Sequence, residues 1–235
     1  MFEIMTKADY FGYLDNTPIG MDRIPLKNAQ DGFIYDALQH VSSQKIAEIG
    51  GGNSRVLKIL GQKNECWNVD EFMGAGNGPV KLPENPPYKI SRVMMGDFSN
   101  QLPDNYFDSL FSVSVVEHVP DEVLMDFFKD CIRVLKPGGK MYHAIDIYLR
   151  DNDADADKIS ERHLKRLETY IELFNSLPVN FTSPPKIKGA VYASASHTST
   201  PDIVLKKWNQ GAPRLAPYRH MLQSTSIKLI LQKNK

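Results

Sequence analysis

The chain has 235 residues, with 28 basic and 28 acidic side chains and a formal net charge of zero. Hydrophobic residues make up 42%, charged residues 24% and aromatics 10%, which is too apolar for a disordered chain and suits one large domain with elaborations. Cancelled charge argues against a protein that works mainly by gripping nucleic acid or an anionic membrane, because phosphate binding draws on excess Lys and Arg.

No apolar stretch approaches the roughly 18–20 residues of a membrane helix; the longest uncharged one runs from Ser109 to Val116. The opening MFEIMTKADY carries acids early and lacks the basic-then-apolar order of a secretory signal. Cys66 and Cys131 show no CxxC spacing, which points to reduced thiols rather than a disulfide framework or a zinc site. The expected setting is cytoplasmic, with neither membrane nor nucleic acid as partner.

Residues 1–44 read as an N-terminal extension ending in a helix from Gly32 to Val41. Lys45 to Gly50 predicts a strand running into glycines, and Ser54 to Leu60 a helix with Val56, Leu57 and Leu60 at helical spacing. Cys66 to Asp70 and Arg92 to Gly96 predict the second and third strands. Between them, 71–90 is too rich in Gly and Pro for a helix, so a long loop stands where an alternating fold would place one. Tyr106 to Val116 reads as a central strand buried on both faces. Pro120-Asp121-Glu122 opens a helix whose apolar face is Leu124, Phe127, Phe128, Cys131 and Leu135, stopped by Lys136-Pro137-Gly138-Gly139. Met141 to Ile147 predicts the next strand. A helix over Asp157 to Leu177 and strands over Ala190 to Ala195 and Thr225 to Leu231 follow, with loops at 178–188 and 209–219. The alternation predicts an α/β fold with a mainly parallel sheet and helices on both faces.

Glu48-Ile-Gly50-Gly-Gly52-Asn-Ser-Arg55 lies between a strand and a helix, where glycines allow a sharp turn and close approach of a ligand to main-chain N–H groups. Asp70 ends the second strand about 20 residues on, where an acid can accept both hydroxyls of a ribose. Asp97 follows the third strand, placed to take a purine amino group with Phe98 against the ring. Ser114-Val-Val-Glu117-His118 closes the fourth, at the carboxyl edge that ligands of such sheets occupy.

In this order EIGGGNSR, NVD, GDF, FDSLFSVSVVEHV and LKPGGKMYHAID resemble the successive motifs of class I S-adenosylmethionine-dependent methyltransferases, in the subgroup acting mostly on small molecules, lipids and sugars. The resemblance covers about 44–149. It implies a Rossmann-like seven-stranded sheet, mostly parallel with one antiparallel strand, for which Thr225 to Leu231 is the candidate. It further implies that Gly50 and Gly52 border the methionine end of the cofactor and that Glu48 holds the loop or the amino group. Asp70 would take the ribose, Asp97 and Phe98 the adenine, and Ser114 a further contact. S-adenosylhomocysteine is the implied product. The chain then divides into the extension 1–44, a cofactor-binding core 45–149, and an acceptor-side insert with C-terminal strands over 150–235. Loop 71–90, the insert at 150–190, and Tyr10, Phe11 and Tyr13 of the extension are the expected walls of the acceptor pocket.

Other motifs fit less well. A dinucleotide fold wants a third glycine where Arg55 stands, and a P-loop wants GK[ST] after the glycines. Asn85-Pro-Pro-Tyr88 spells the tetrapeptide of adenine amino-methyltransferases, yet it sits in a polar loop with no strand before it. Asp151, Asp153, Asp155 and Asp157 alternate ahead of a helix as a solvated first turn does, so no metal is expected.

A hydroxyl acceptor needs its proton removed as the new bond forms. Candidate catalytic residues at the carboxyl edge are His118, His143 and Asp146. Strand alternation puts His143 and Asp146 on opposite faces unless the strand ends between them, and His143 has the alternative of a hydrogen-bonded core histidine. His197 and His220 fall in the tail. The expected activity is methyl transfer to a small-molecule or glycan acceptor, with oxygen the nucleophile. A non-catalytic, cofactor-binding scaffold of the same fold is the alternative, and a nucleotide-dependent oxidoreductase a third reading.

Overall fold

The computed structural model describes residues 1–19, 25–74, 78–149, 154–186, 194–195, 210, 213 and 223–235. Short apolar runs alternating between two buried faces build its sheet. β2 (Lys45–Ile49), β3 (Glu65–Val69), β4 (Lys89–Ser91), β5 (Phe107–Val113) and β6 (Leu135–Leu149) lie parallel in the order β4-β3-β2-β5-β6, and β9 (Gln223–Lys233) runs antiparallel along β6. Period-two alternation sends Leu110, Met141 and Ile145 to one core and Phe111, Tyr142 and Ala144 to the other.

The first core is covered by α4 (Asp121–Val134) and α5 (Ala154–Ser176), with Phe128 and Phe174 meeting edge to face at 4.7 Å. The second is covered by α1 (Lys7–Asn16), α2 (Pro25–Leu38) and α3 (Val56–Leu60). Three of these helices have a local cause. Thr6 and Asp9 form a reciprocal capping box at α1. Ser54 Oγ accepts the Leu57 N–H at 2.9 Å at the start of α3. Pro120 precedes α4, with Asp121 and Glu122 in its positively polarised first turn.

Among the described residues the sheet has nine strands rather than the seven predicted. The place beyond β9 is shared end to end by three short pieces. β8 (Ser194–Ala195) pairs with residues 223–224, β1 (Phe2–Ile4) with 227–229, and β7 (Val179–Phe181) with 231–233. Three fragments this short cannot be separated by sequence pattern from loop. Boundaries also move. The third strand lies at 89–91 instead of 92–96, and the fourth ends at Val113 instead of Val116. β6 begins at Leu135, the last residue of the predicted helix face, and runs through the predicted breaker: Phe107 faces Leu135 and Ser109 faces Lys140, so 136–139 are extruded as a bulge with Gly138 at φ 76°. Of the strand predicted over 190–195, only 194–195 fall among the described residues. No helix of the described residues is long and apolar enough to cross a membrane.

Candidate active site

Parallel strands deliver their loops to one edge. Over the carboxyl ends of β2, β3 and β5 lies a cavity of about 460 Å³, within the roughly 300–1,000 Å³ usual for small-ligand sites. Gly50, Asp70, Ser114 and His118 line it, with Val93, Met94 and Met95 after β4 and Val119, Pro120, Val123 and Phe127 leading into α4.

The glycine turn has no room for side chains. Gly50 adopts φ 66°, and a Cβ there would sit 2.6 Å from Val115 Cγ2; at Gly52, φ 52°, it would sit 3.1 Å from Pro79 Cγ. Asp70 ties this turn to β3. Its Oδ2 accepts the Gly52 N–H at 3.0 Å and its Oδ1 the Phe72 N–H at 2.8 Å. From below, Asn68 Nδ2 donates to Gly52 O at 2.7 Å. Glu48 does not line the cavity. It is buried under the turn with Oε2 unpartnered. Burial pushes its carboxyl up to about 8, with a Ser54 hydrogen bond opposing. The described part of the 71–88 connection contains no helix, and it folds back so that Met73, Gly74, Gly78 and Pro79 form a cavity wall.

A second group meets at the end of β5. Ser114, at φ 53°, turns the chain out of the strand into a 3₁₀ turn over Val116–His118. Ser114 Oγ donates to Asp146 Oδ1 at 2.8 Å and lies 3.0 Å from Gln30 Oε1. Gln30, fully buried on α2, donates its amide to Asp146 Oδ1 and to Ser226 Oγ at 3.1 Å. Asp146 lies within β6, opposite Ser226, rather than in a loop beyond it. His118 Nε2 is 3.8 Å from Glu117 Oε1, with the imidazole half-exposed and the carboxyl 9% exposed. Both Glu117 oxygens lack a hydrogen-bond partner. Burial, then the nearby Asp146 charge, push Glu117 well above the carboxylate range. Burial lowers His118 below the ordinary histidine value, with Asp146 opposing and Lys27 assisting.

Glu48, Gly52 and Asp146 stand behind the lining, and Asp97, Phe98 and His143 lie elsewhere. Asp97 and Phe98 are exposed and outside the cavity lining. The reason is Asp130 on α4: fully buried, it accepts the Gly96 and Phe98 N–H groups at 2.8 and 3.1 Å and pairs with Arg133, leaving Met94 and Met95 as the wall. His143 is fully buried on the opposite face from Asp146. Its Nδ1 is 2.8 Å from Ser112 Oγ and its ring meets Phe128 edge-on, and burial lowers it to about 3. Tyr88 of NPPY is buried against α3, in the turn leading into β4. Asp151, Asp153, His197 and His220 lie outside the described residues.

Gln30 and Lys27 were missed. Gln30, Ile34 and Leu38 are four apart and share one buried stripe of α2. A polar residue continuing an apolar stripe is the signal that would have found it.

Residues 47–143 match the family model described as a methyltransferase domain. The segment 47–143 is a methyltransferase domain by this match, and the solved structures below share its fold. The chain is 26% identical over 118 residues to a sterol 24-C-methyltransferase of Gibberella zeae, covering 50% of this chain and 30% of that protein. It is 30% identical over 97 residues to one of Aspergillus fumigatus, covering 39% and 24%. These matches span less than a third of either relative. Among solved structures, the N-methyltransferase NodS of Bradyrhizobium japonicum, in complex with S-adenosylhomocysteine, is similar with TM-score 0.54 at 12% identity, covering 97% of this chain and 99% of that one. Phosphoethanolamine N-methyltransferase 2 of Haemonchus contortus, in complex with S-adenosylmethionine, is similar with TM-score 0.58 at 12% identity, covering 96% and 57%. At such identity the likeness is one of fold.

Proposed function

We propose that this methyltransferase binds S-adenosylmethionine in the cavity over β2, β3 and β5 and methylates an oxygen of a small-molecule or glycan acceptor. The observation that carries this reading is the convergence of Gly50, Asp70 and Ser114 on one cavity at the carboxyl edge. The residues suit that cofactor. The glycine turn is a cradle that any Cβ would fill, and each Asp70 oxygen keeps a lone pair after accepting one N–H. Glu48 Oε2 is an orphaned buried acceptor beneath the turn.

The cofactor supplies an electrophilic methyl group on a positively charged sulfur. The chain aligns the acceptor against an apolar wall of Val115, Val119 and Val123. His118 is the group that takes the hydroxyl proton, at its Nε2. Its lowered affinity for protons leaves it neutral and able to accept at neutral pH. Asp146, held by Ser114 and Gln30, supplies negative charge that favours the protonated ring. Burial and the Asp146 charge favour the protonated form of Glu117 beside it.

Isothermal titration with S-adenosylhomocysteine tests the reading. One equivalent binds, and Asp70→Ala weakens it by about tenfold or more, the effect of one lost charge-assisted hydrogen bond. Absence of binding, or binding indifferent to Asp70, overturns it. Methyl transfer to carbon of an apolar acceptor is the second reading, favoured by the apolar lining and by the sterol-methylating relatives. Mass analysis of the product from labelled methyl decides between them.

A further inference from the structure

The turn carrying His118 is held from outside the matched methyltransferase segment, by one side chain of α5. Arg166 Nη2 donates to the carbonyls of Val116, at 3.5 Å, and Val119. Its Nη1 donates to the Asp121 carboxylate, in the first turn of α4, and its Nε to the Tyr170 hydroxyl at 2.7 Å. Tyr170 is itself buried and reaches Val116 O at 3.4 Å. The carbonyls so held belong to residues 116 and 119, on either side of His118. Val119 and Pro120 of the same turn line the cavity.

The turn needs such support. It is three residues of 3₁₀ helix entered through Ser114 in the left-handed region, and so short a helix has few internal bonds to fix it. Arginine suits the task because its planar fork satisfies several acceptors at once, where a lysine ammonium would act as a point charge. The anchor is firm, since Tyr170 and Phe174, on the same helix, are buried in the core beneath α4.

We propose that Arg166 is a positioning residue of this methyltransferase, clamping the 116–119 turn from the acceptor-side helix so that His118 is held at the cavity. The proposal rests on the reading of His118 as the proton acceptor. Charged and titratable groups facing His118 are Glu117 on its own turn, Asp146 on β6 and Lys27 on α2. Arg166 is not among them, so its effect on the ring comes through geometry rather than direct charge.

The test follows the His118 ring by NMR in the full chain with labelled histidine. Of the six histidines, His118 is assigned by the signal lost in His118→Gln. In the wild type it titrates below 6.5. In Arg166→Met, which keeps length but loses every clamp bond, the midpoint rises toward 6.5 as the turn loosens and the ring gains water, and Arg166→Lys lies between. Tyr170→Phe removes one hydroxyl and keeps the ring, and it gives a smaller rise should Arg166→Met fail to fold. An unchanged midpoint in folded Arg166→Met, or in Tyr170→Phe if that is the only folded variant, overturns the proposal. S-adenosylhomocysteine titration of the wild type is the separate control: no binding there defeats the proposed function while leaving the clamp to be judged on the midpoints.

Discussion

Ser114 Oγ and Asp146 Oδ1 are 2.8 Å apart, although one follows β5, the other lies within β6, and they are 32 positions apart in sequence. Gln30, arriving from α2, donates to the same Asp146 oxygen and to Ser226 on β9, with its Oε1 3.0 Å from Ser114 Oγ. One buried amide thus ties together four elements at the edge where chemistry is proposed. Gln30→Leu keeps the bulk but leaves the Asp146 and Ser226 acceptors short of a donor. The expected cost is about 1–3 kcal/mol in urea denaturation. Ser114→Ala should cost less, about 0.5–1.5 kcal/mol, and the double variant should lose less than the sum, because both act on Asp146. Strict additivity would show that the three do not form one network.

Two glycines separate backbone demand from mere presence. Gly50 is at φ 66° with Val115 Cγ2 2.6 Å from a built Cβ, whereas Gly12, inside α1, has nothing within 4 Å. Gly50→Ala should destabilise by about 1–3 kcal/mol and abolish measurable S-adenosylhomocysteine binding. Gly12→Ala should stabilise by about 0.5–1 kcal/mol, since alanine loses less entropy in a helix. Thermal melts with a titration of each variant check both signs.

What the sequence revealed of this site followed the period of its elements. The strand-glycine-helix unit at 45–60, the acid ending β3 and the amphipathic α4 each carry a local pattern, and each stands where expected within a few residues. Asp97 and Phe98 were placed by motif order alone. Their turn is set by a contact 32 residues away, Asp130 to the Phe98 N–H, which no local pattern reports. The same holds for Gln30 and Arg166, whose partners on other elements are 45 to 196 positions distant. His143 illustrates the opposite case: strand alternation separated it from Asp146, and the longer reach of β6 leaves no loop in which they could converge.

Burial of His143 makes an acid-side prediction. Its folded value is about 3 against an ordinary 6.5, so the folded chain binds fewer protons than the unfolded chain between those limits. Stability from this group is fully present above 6.5 and falls by about 1.4 kcal/mol per pH unit below it. His143→Gln cannot titrate, so the difference between wild-type and variant stability should shrink steadily from pH 6 to pH 4. A constant difference across that range would mean that His143 is not buried neutral.

Glu48 carries the opposite sign. Its folded value is about 8 against an ordinary 4.5, because the carboxyl is buried beneath the glycine turn. The folded chain therefore holds a proton that the unfolded chain releases. This contribution is complete below 4.5 and is lost at about 1.4 kcal/mol per pH unit as pH rises toward 8. Glu48→Gln imitates the protonated form at every pH, so it should match wild-type stability near pH 4.5 and exceed it increasingly up to pH 8, by urea denaturation at each value. A wild type that instead gains on the variant as pH rises would place an ionised Glu48 under the turn. Such a charge would have Ser54 and the Lys27 charge in its favour and the Asp31 and Asp70 carboxylates against it, with burial the largest cost.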